Sequence, residues 1–283
     1  MRRLLLPLAL VALALAAGFA VWLWIGLPSR SAVRALATKN PGRTRLMLQR
    51  EQEAAQKERA ARTIQTWVPL SAISRHLIRA VLSSEDQRFF GHYGVDWEAI
   101  QKSIEKDVEK RRFAQGGSTI TQQLAKNLYF GTGRTLARKA RELVVAQWLE
   151  ADLTKLRILT LYLNVIEWGD GIYGAEAAAQ HWYGRPASAL SPSEAAGLAA
   201  MIPNPRRLNP RVALARHERA TRRVLWLMGQ AGYLGRDVAG VGSEPPAETV
   251  EEDEEPPATA APADPPTGPQ PSPTPPVTRG PSG

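Results

Sequence analysis

The sequence predicts a mainly α-helical domain placed behind one long apolar helix. Three observations predict it: an apolar run from Leu4 to Leu27, a series of segments with helical periodicity separated by Gly- and Pro-marked breaks, and no convincing run of β-branched residues from Trp67 to about Val238.

The apolar run would span about 36 Å at 1.5 Å per residue, enough for a hydrocarbon core of about 30 Å. It reads as a transmembrane anchor following a short tail, residues 1–3. Trp22 and Trp24 carry it past the small-residue stretch Ala12 to Ala20, where a signal peptide would be cut. Arg2 and Arg3 precede the run, whereas Arg30, Arg34, Lys39, Arg43 and Arg45 follow it, so charge bias alone favours a cytoplasmic body. Residues 28–65 are polar and Ala-rich with little apolar periodicity, which predicts a stalk. The compact domain is expected over residues 66–238. Its predicted helices are Ile73–Ser83, Trp97–Arg111, Thr119–Leu128, Leu136–Ala151, Lys155–Asn164, Ala175–Gln180, Pro192–Met201 and Val212–Ala231. Beyond Gly242, 13 of 41 residues are proline, so residues 239–283 are expected as a disordered, acidic, solvated tail.

Composition narrows the chemistry. With no cysteine, disulfides, thiolate nucleophiles and cysteine zinc sites are excluded. Four histidines occur without the spacing of a protein-made metal cage. The formal charge is +9, yet Ser243 to Gly283 holds eight acids against Arg279 alone. The rest of the chain is therefore strongly basic and suits an anionic partner, whether nucleic acid, lipid headgroups or pyrophosphate. No nucleic-acid-binding module fits the sequence, and no nucleic-acid partner is expected.

Three stretches could carry a reaction. Glu85 and Asp86 follow an apolar helix and fall at its C-terminal end, where the macrodipole disfavours carboxylates and raises their pKa, a setting for a general base. Taken alone, the pair fits a solvated helix end better than a base. In the second stretch, Gly116-Gly117-Ser118-Thr119 opens a helix carrying Gln122, Gln123, Lys126 and Asn127, an arrangement able to grip phosphate oxygens or to form an ordinary loop-to-helix junction. In the third, Arg138, Lys139 and Glu142 lie on one predicted helix, with Arg138 and Glu142 at i,i+4. That spacing fits a surface ion pair, or an acid held beside cations to bind pyrophosphate directly or through a metal.

Together and in this order the stretches resemble the peptidoglycan glycosyltransferases, which occur as monofunctional enzymes and as the first domain of class A penicillin-binding proteins. Five ordered motifs carry the resemblance. The first is Glu85-Asp86-x-x-Phe89-x-x-His92-x-Gly94, and the second runs from Gly117-Ser118-Thr119 through Gln122-Gln123 to Lys126-Asn127. The third is Arg138-Lys139-x-x-Glu142, and the fourth is Tyr162-Leu163-Asn164 continuing to Gly171-Ile172-Tyr173-Gly174. The fifth is Leu190-Ser191-x-x-Glu194-Ala195-Ala196, ending at Pro203-Asn204-Pro205. No Lys-Thr-Gly follows, so a transpeptidase domain is not expected.

The resemblance implies a lysozyme-like helical domain with a small membrane-contacting lobe, set in the inner membrane with its catalytic domain on the periplasmic side. It implies inverting polymerisation of lipid II, the lipid-linked disaccharide, into β-1,4 glycan with release of undecaprenyl pyrophosphate. Glu85 and Glu142 would be the catalytic pair, Glu85 as the base and Glu142 on the donor side, placing the pyrophosphate. Asp86, Ser118, Thr119, Gln122, Gln123, Lys126, Asn127, Arg138 and Lys139 would bind substrate. A divalent cation, Mg2+ or Mn2+, could accompany the pyrophosphate at Glu142; no organic cofactor is implied. Expected partners are lipid II, the growing lipid-linked glycan, the membrane and cell-wall synthesis or division proteins. The basic stretch Ser103 to Phe113 is a candidate for headgroup contact. A lytic muramidase and a non-catalytic membrane-tethered scaffold are the alternatives; the cations around the second acid favour the polymerase, since a hydrolase of finished glycan has no pyrophosphate to hold.

Overall fold

The computed structural model describes residues 10, 13–14, 17–19, 21–101, 117–133 and 135–235. The expected tail at 239–283 and the basic stretch Ser103 to Phe113 lie outside them. The span expected at Leu4 to Leu27 lies partly outside. Among the described residues no helix is long and apolar enough to cross a membrane.

The described chain is mainly helical. Its longer helices are α1 (Arg30–Ala35), α2 (Arg45–Gln56), α3 (Arg75–Glu85), α4 (Ile120–Ala125), α5 (Leu136–Asp152), α6 (Lys155–Val165), α7 (Ala175–Tyr183), α8 (Pro192–Met201) and α9 (Leu214–Gln230). Local sequence explains most of the starts. Thr44, Ser74, Thr119, Thr135, Thr154 and Ser191 each accept a backbone N–H in the first turn of the helix they precede. Each such cap is worth about 1 kcal/mol.

The centre of the fold is α6 and α8. From Ile158 to Val165 nearly every side chain of α6 is buried, and α8 buries Ala195 through Met201. A helix apolar on all sides belongs inside a fold. The small residues of α8 let α3 and α9 pack closely against it, and His217 on α9 reaches the Gly197 carbonyl at 2.9 Å.

Three expectations change. First, residues 28–65 are not a separate stalk. Val33 and Leu36 enter the main core, Leu46 and Met47 pack with Tyr173, and Arg30 pairs with Asp152 at 3.0 Å. Few apolar residues mark this stretch, because its burial comes from partners more than a hundred residues away. Second, the chain does form strands: β1 (Ile64–Gln65), β2 (Glu167–Gly169) and β3 (Ile172–Tyr173), in the order β1-β3-β2. β1 runs parallel to β3 with Ile64 opposite Ile172, and β2 runs antiparallel to β3 with Glu167 opposite Tyr173. Strands of two or three residues are too short for alternation to register. Third, the helix expected to continue to Leu128 changes at Lys126 into a π-turn, Lys126–Phe130, closed by the Gly131 N–H on the Lys126 carbonyl.

Candidate active site

Glu85 is the last residue of α3, half-buried at the wall of a cleft of about 400 Å³ that is also lined by Arg88, Ser118, Thr119, Arg223 and Leu227. Its Oε2 accepts a hydrogen bond from Gln123 Nε2 at 2.8 Å, and Gln123 Oε1 accepts one from the Tyr162 hydroxyl at 2.9 Å. Burial raises the Glu85 pKa above the ordinary carboxylate value; Gln123 and Lys126 oppose the shift, and the neighbouring Asp86 adds to it. Burial, then the charges of Glu85 and Asp86, hold the Tyr162 hydroxyl well above the usual phenol range, so it remains a donor.

Asp86, one residue on, has a different environment. Its carboxylate receives the Ile120 N–H at 3.0 Å and lies 2.9 and 3.0 Å from His92 Nε2. It is a buried clamp between the end of α3, the His92 loop and the first residue of α4. Gly94, at φ +77°, completes this joint. Its carbonyl accepts from Thr119 Oγ1 at 2.7 Å and from Gln122 Nε2 at 3.3 Å, while its N–H donates to Glu150. A side chain there would meet both the left-handed backbone and the Gln147 amide.

The second acid stands in a row of cations. Glu142 is buried on α5, with Arg138 Nη1 bonded to Oε1 and Lys139 Nζ 3.7 Å from Oε2. Lys139 Nζ also donates to Ser118 Oγ at 2.9 Å and to Gln122 Oε1 at 3.0 Å. Burial is the largest influence on Glu142 and raises its pKa, against the opposing pull of Arg138, Lys139 and Lys126. Burial likewise lowers the Lys126 and Lys139 pKa values, with Glu142 acting against it. Lys126 feels the charges of both Glu142 and Glu85. Asn127, by contrast, turns back onto the Gln123 carbonyl at 2.8 Å.

The family described as Transglycosylase matches this chain over residues 50–230. The chain belongs to the transglycosylase family. Named relatives are called biosynthetic peptidoglycan transglycosylase. That of Azoarcus sp. (strain BH72) is 49% identical over 193 residues, covering 67% of this chain and 83% of the relative. That of Dechloromonas aromatica (strain RCB) is 52% identical over 167 residues, covering 59% and 72%.

The fold of this transglycosylase thus gathers Glu85, Gln123, Lys126, Arg138, Lys139 and Glu142 around one pair of elements, α4 and the start of α5. Asp86, Thr119 and Asn127 spend their polar atoms within the protein. Two residues escaped the sequence reading. Glu150, buried on α5, takes Gly94 N–H at 3.1 Å, Thr121 Oγ1 at 2.6 Å and Lys155 Nζ at 2.8 Å. Tyr162, although inside a motif, had no assigned part. The available signal for Glu150 was a second acid on the apolar stripe of α5, at i,i+8 from Glu142.

The divalent cation expected at Glu142 does not fit the side chains there, because both oxygens already face cations and Lys126 adds a third positive charge. Among the described residues, Asp86, His92 and Asp96 bring ligand atoms within 4.8 Å of one another, a spacing that could hold a metal ion. Asp86 there already serves His92 and Ile120. Replacing Asp86 with Ala strands that N–H and should lower unfolding stability by about 2–3 kcal/mol. Asp86→Asn, which keeps an acceptor, should lose less, and urea unfolding of the two variants checks both.

Proposed function

We propose that this transglycosylase polymerises lipid II into β-1,4 glycan, with inversion at the donor carbon and release of undecaprenyl pyrophosphate. One observation carries the reading: a half-buried carboxylate that accepts from a side-chain amide, Glu85, and a second carboxylate ringed by cations, Glu142, stand in different settings yet both act on the charge of Lys126. A base and an anion-holding group are thereby kept apart within one site.

Glu85 takes the proton from the acceptor 4-hydroxyl, and its raised pKa makes it a stronger base than an exposed carboxylate. The hydroxyl oxygen bonds to the donor anomeric carbon as the bond from that carbon to the pyrophosphate oxygen breaks. The leaving group keeps the electron pair, and Lys126, Arg138 and Lys139 meet its negative charge. Gln123, held by Tyr162, keeps the Glu85 carboxylate oriented. Ser118 and Gln122 fix the Lys139 ammonium. Both substrates are membrane lipids, so the protein works at the outer face of the inner membrane, anchored through its N-terminal segment, alongside other cell-wall synthesis or division proteins.

The cation row favours polymerisation over hydrolysis of finished glycan. Incubation of the full chain with labelled lipid II should yield a lysozyme-sensitive polymer. Soluble fragments released from finished glycan, without polymer, would assign the protein to the muramidases.

A further inference from the structure

The first turn of α5 carries Arg138 and Lys139, yet apolar burial on this helix begins only at Val145, and Leu136 is fully exposed to solvent at 91%. Polar contacts must therefore hold this turn in place. Lys139 supplies one through Ser118 and Gln122, and Arg138 another through Glu142. Arg141 supplies a third, directed at the N-terminal segment.

Residues 21–25 are helical, and their last turn tightens as the Gly26 N–H closes on the Leu23 carbonyl. The Trp22 carbonyl is then met by Arg141 Nη2 at 2.7 Å, and the Leu23 carbonyl also receives Arg141 Nε at 3.1 Å. The guanidinium lies over the Trp22 ring, 4.7 Å from its centroid. It occupies a notch left by Gly26, where a Cβ would collide with it. Further along the same stripe of α5, Trp148 meets Trp24 edge-on at 6.3 Å and Asp152 binds Arg30. At 100° per residue this stripe lies about 80° round the helix from Arg138 and Glu142. One face of α5 thus serves the cation row, and the adjacent face grips the N-terminal segment.

We infer that Arg141 is a positioning residue, locking the end of the N-terminal helix to α5 so that this segment sets the place of the pyrophosphate-binding cations. The inference rests on the proposed reading of that row as the donor site. A lysine cannot replace Arg141, because one ammonium does not span two carbonyls while stacking on a ring.

The test is steady-state polymerisation by the full chain in lipid-containing detergent. Arg141→Ala should raise KM for lipid II about tenfold with kcat within about twofold, the pattern of lost uniform binding. Gly26→Val, which fills the notch, should reproduce the rise. The double variant should be no worse than either, and Arg141→Lys should recover little. Unchanged kinetics in Arg141→Ala, or effects that multiply in the double variant, would overturn the inference. A readout independent of activity comes from the cysteine-free background. A short bifunctional thiol reagent should join Trp24→Cys to Trp148→Cys within one chain while Arg141 is in place, and the link should be largely lost when Arg141→Ala is added; failure to join them with Arg141 present, or an equal yield without it, also overturns the inference. Absence of polymer from the wild-type chain would instead count against the proposed function, leaving the cross-link to decide the contact.

Discussion

Glu85→Gln should abolish nearly all polymerisation while making the protein more stable at neutral pH. The loss follows from removing a general base, an effect of about 10²- to 10⁴-fold. The gain follows from linkage. Burial raises the folded-state pKa of Glu85, so its favourable contribution is present below the unfolded value of about 4.3 and is lost as pH rises through the folded value. At neutral pH the ionised, desolvated carboxylate opposes folding, and a neutral amide that can still accept from Gln123 removes that opposition. A rise in Tm of a few degrees is expected, the shift that about 1 kcal/mol gives in a domain of this size. In the wild type, the acid limb of kcat/KM should lie above the ordinary carboxylate range, because activity requires the ionised form. An inactive variant with lowered Tm would point to a structural acid instead.

Glu142→Ala should be costly in both activity and stability. It leaves Lys126, Arg138 and Lys139 close together without their shared counter-charge. Removing one partner from a buried ionic group typically costs about 3–5 kcal/mol, and the lower end fits here because Lys139 is 41% exposed at its side chain. Burial already lowers the pKa of Lys126 and of Lys139, and Glu142 resists that shift. Without it both lysines should lose their protons at lower pH, so the residual activity should fall away on the alkaline side earlier than in the wild type. Urea unfolding and a pH–rate profile check the two parts. If both matched the wild type, Glu142 would be only a solvated helix charge.

The helices from α3 onward were legible because their apolar spacing and Ser or Thr caps are local properties. The packing of Val33 and Met47 was not, since each is an isolated apolar residue in a polar stretch whose partners lie far along the chain. The same distinction governs the site. Glu85 and Asp86 are adjacent acids, and nothing local tells the base candidate from the clamp; Ile120 and His92 do so, through bonds made only in the folded chain. The i,i+4 spacing of Arg138 and Glu142 was visible, whereas the approach of Lys139 to Ser118 across 21 positions was not.

Glu142 also bears on how the proposed cycle ends. Three cations with no resident anion would hold a departing pyrophosphate as firmly after bond cleavage as during it, and slow escape of the spent lipid would limit turnover. A carboxylate built into the same row competes for those cations at every moment. In the proposed mechanism the product would be exchanged for an internal substitute, and the row would return to its starting arrangement without waiting for a new ligand.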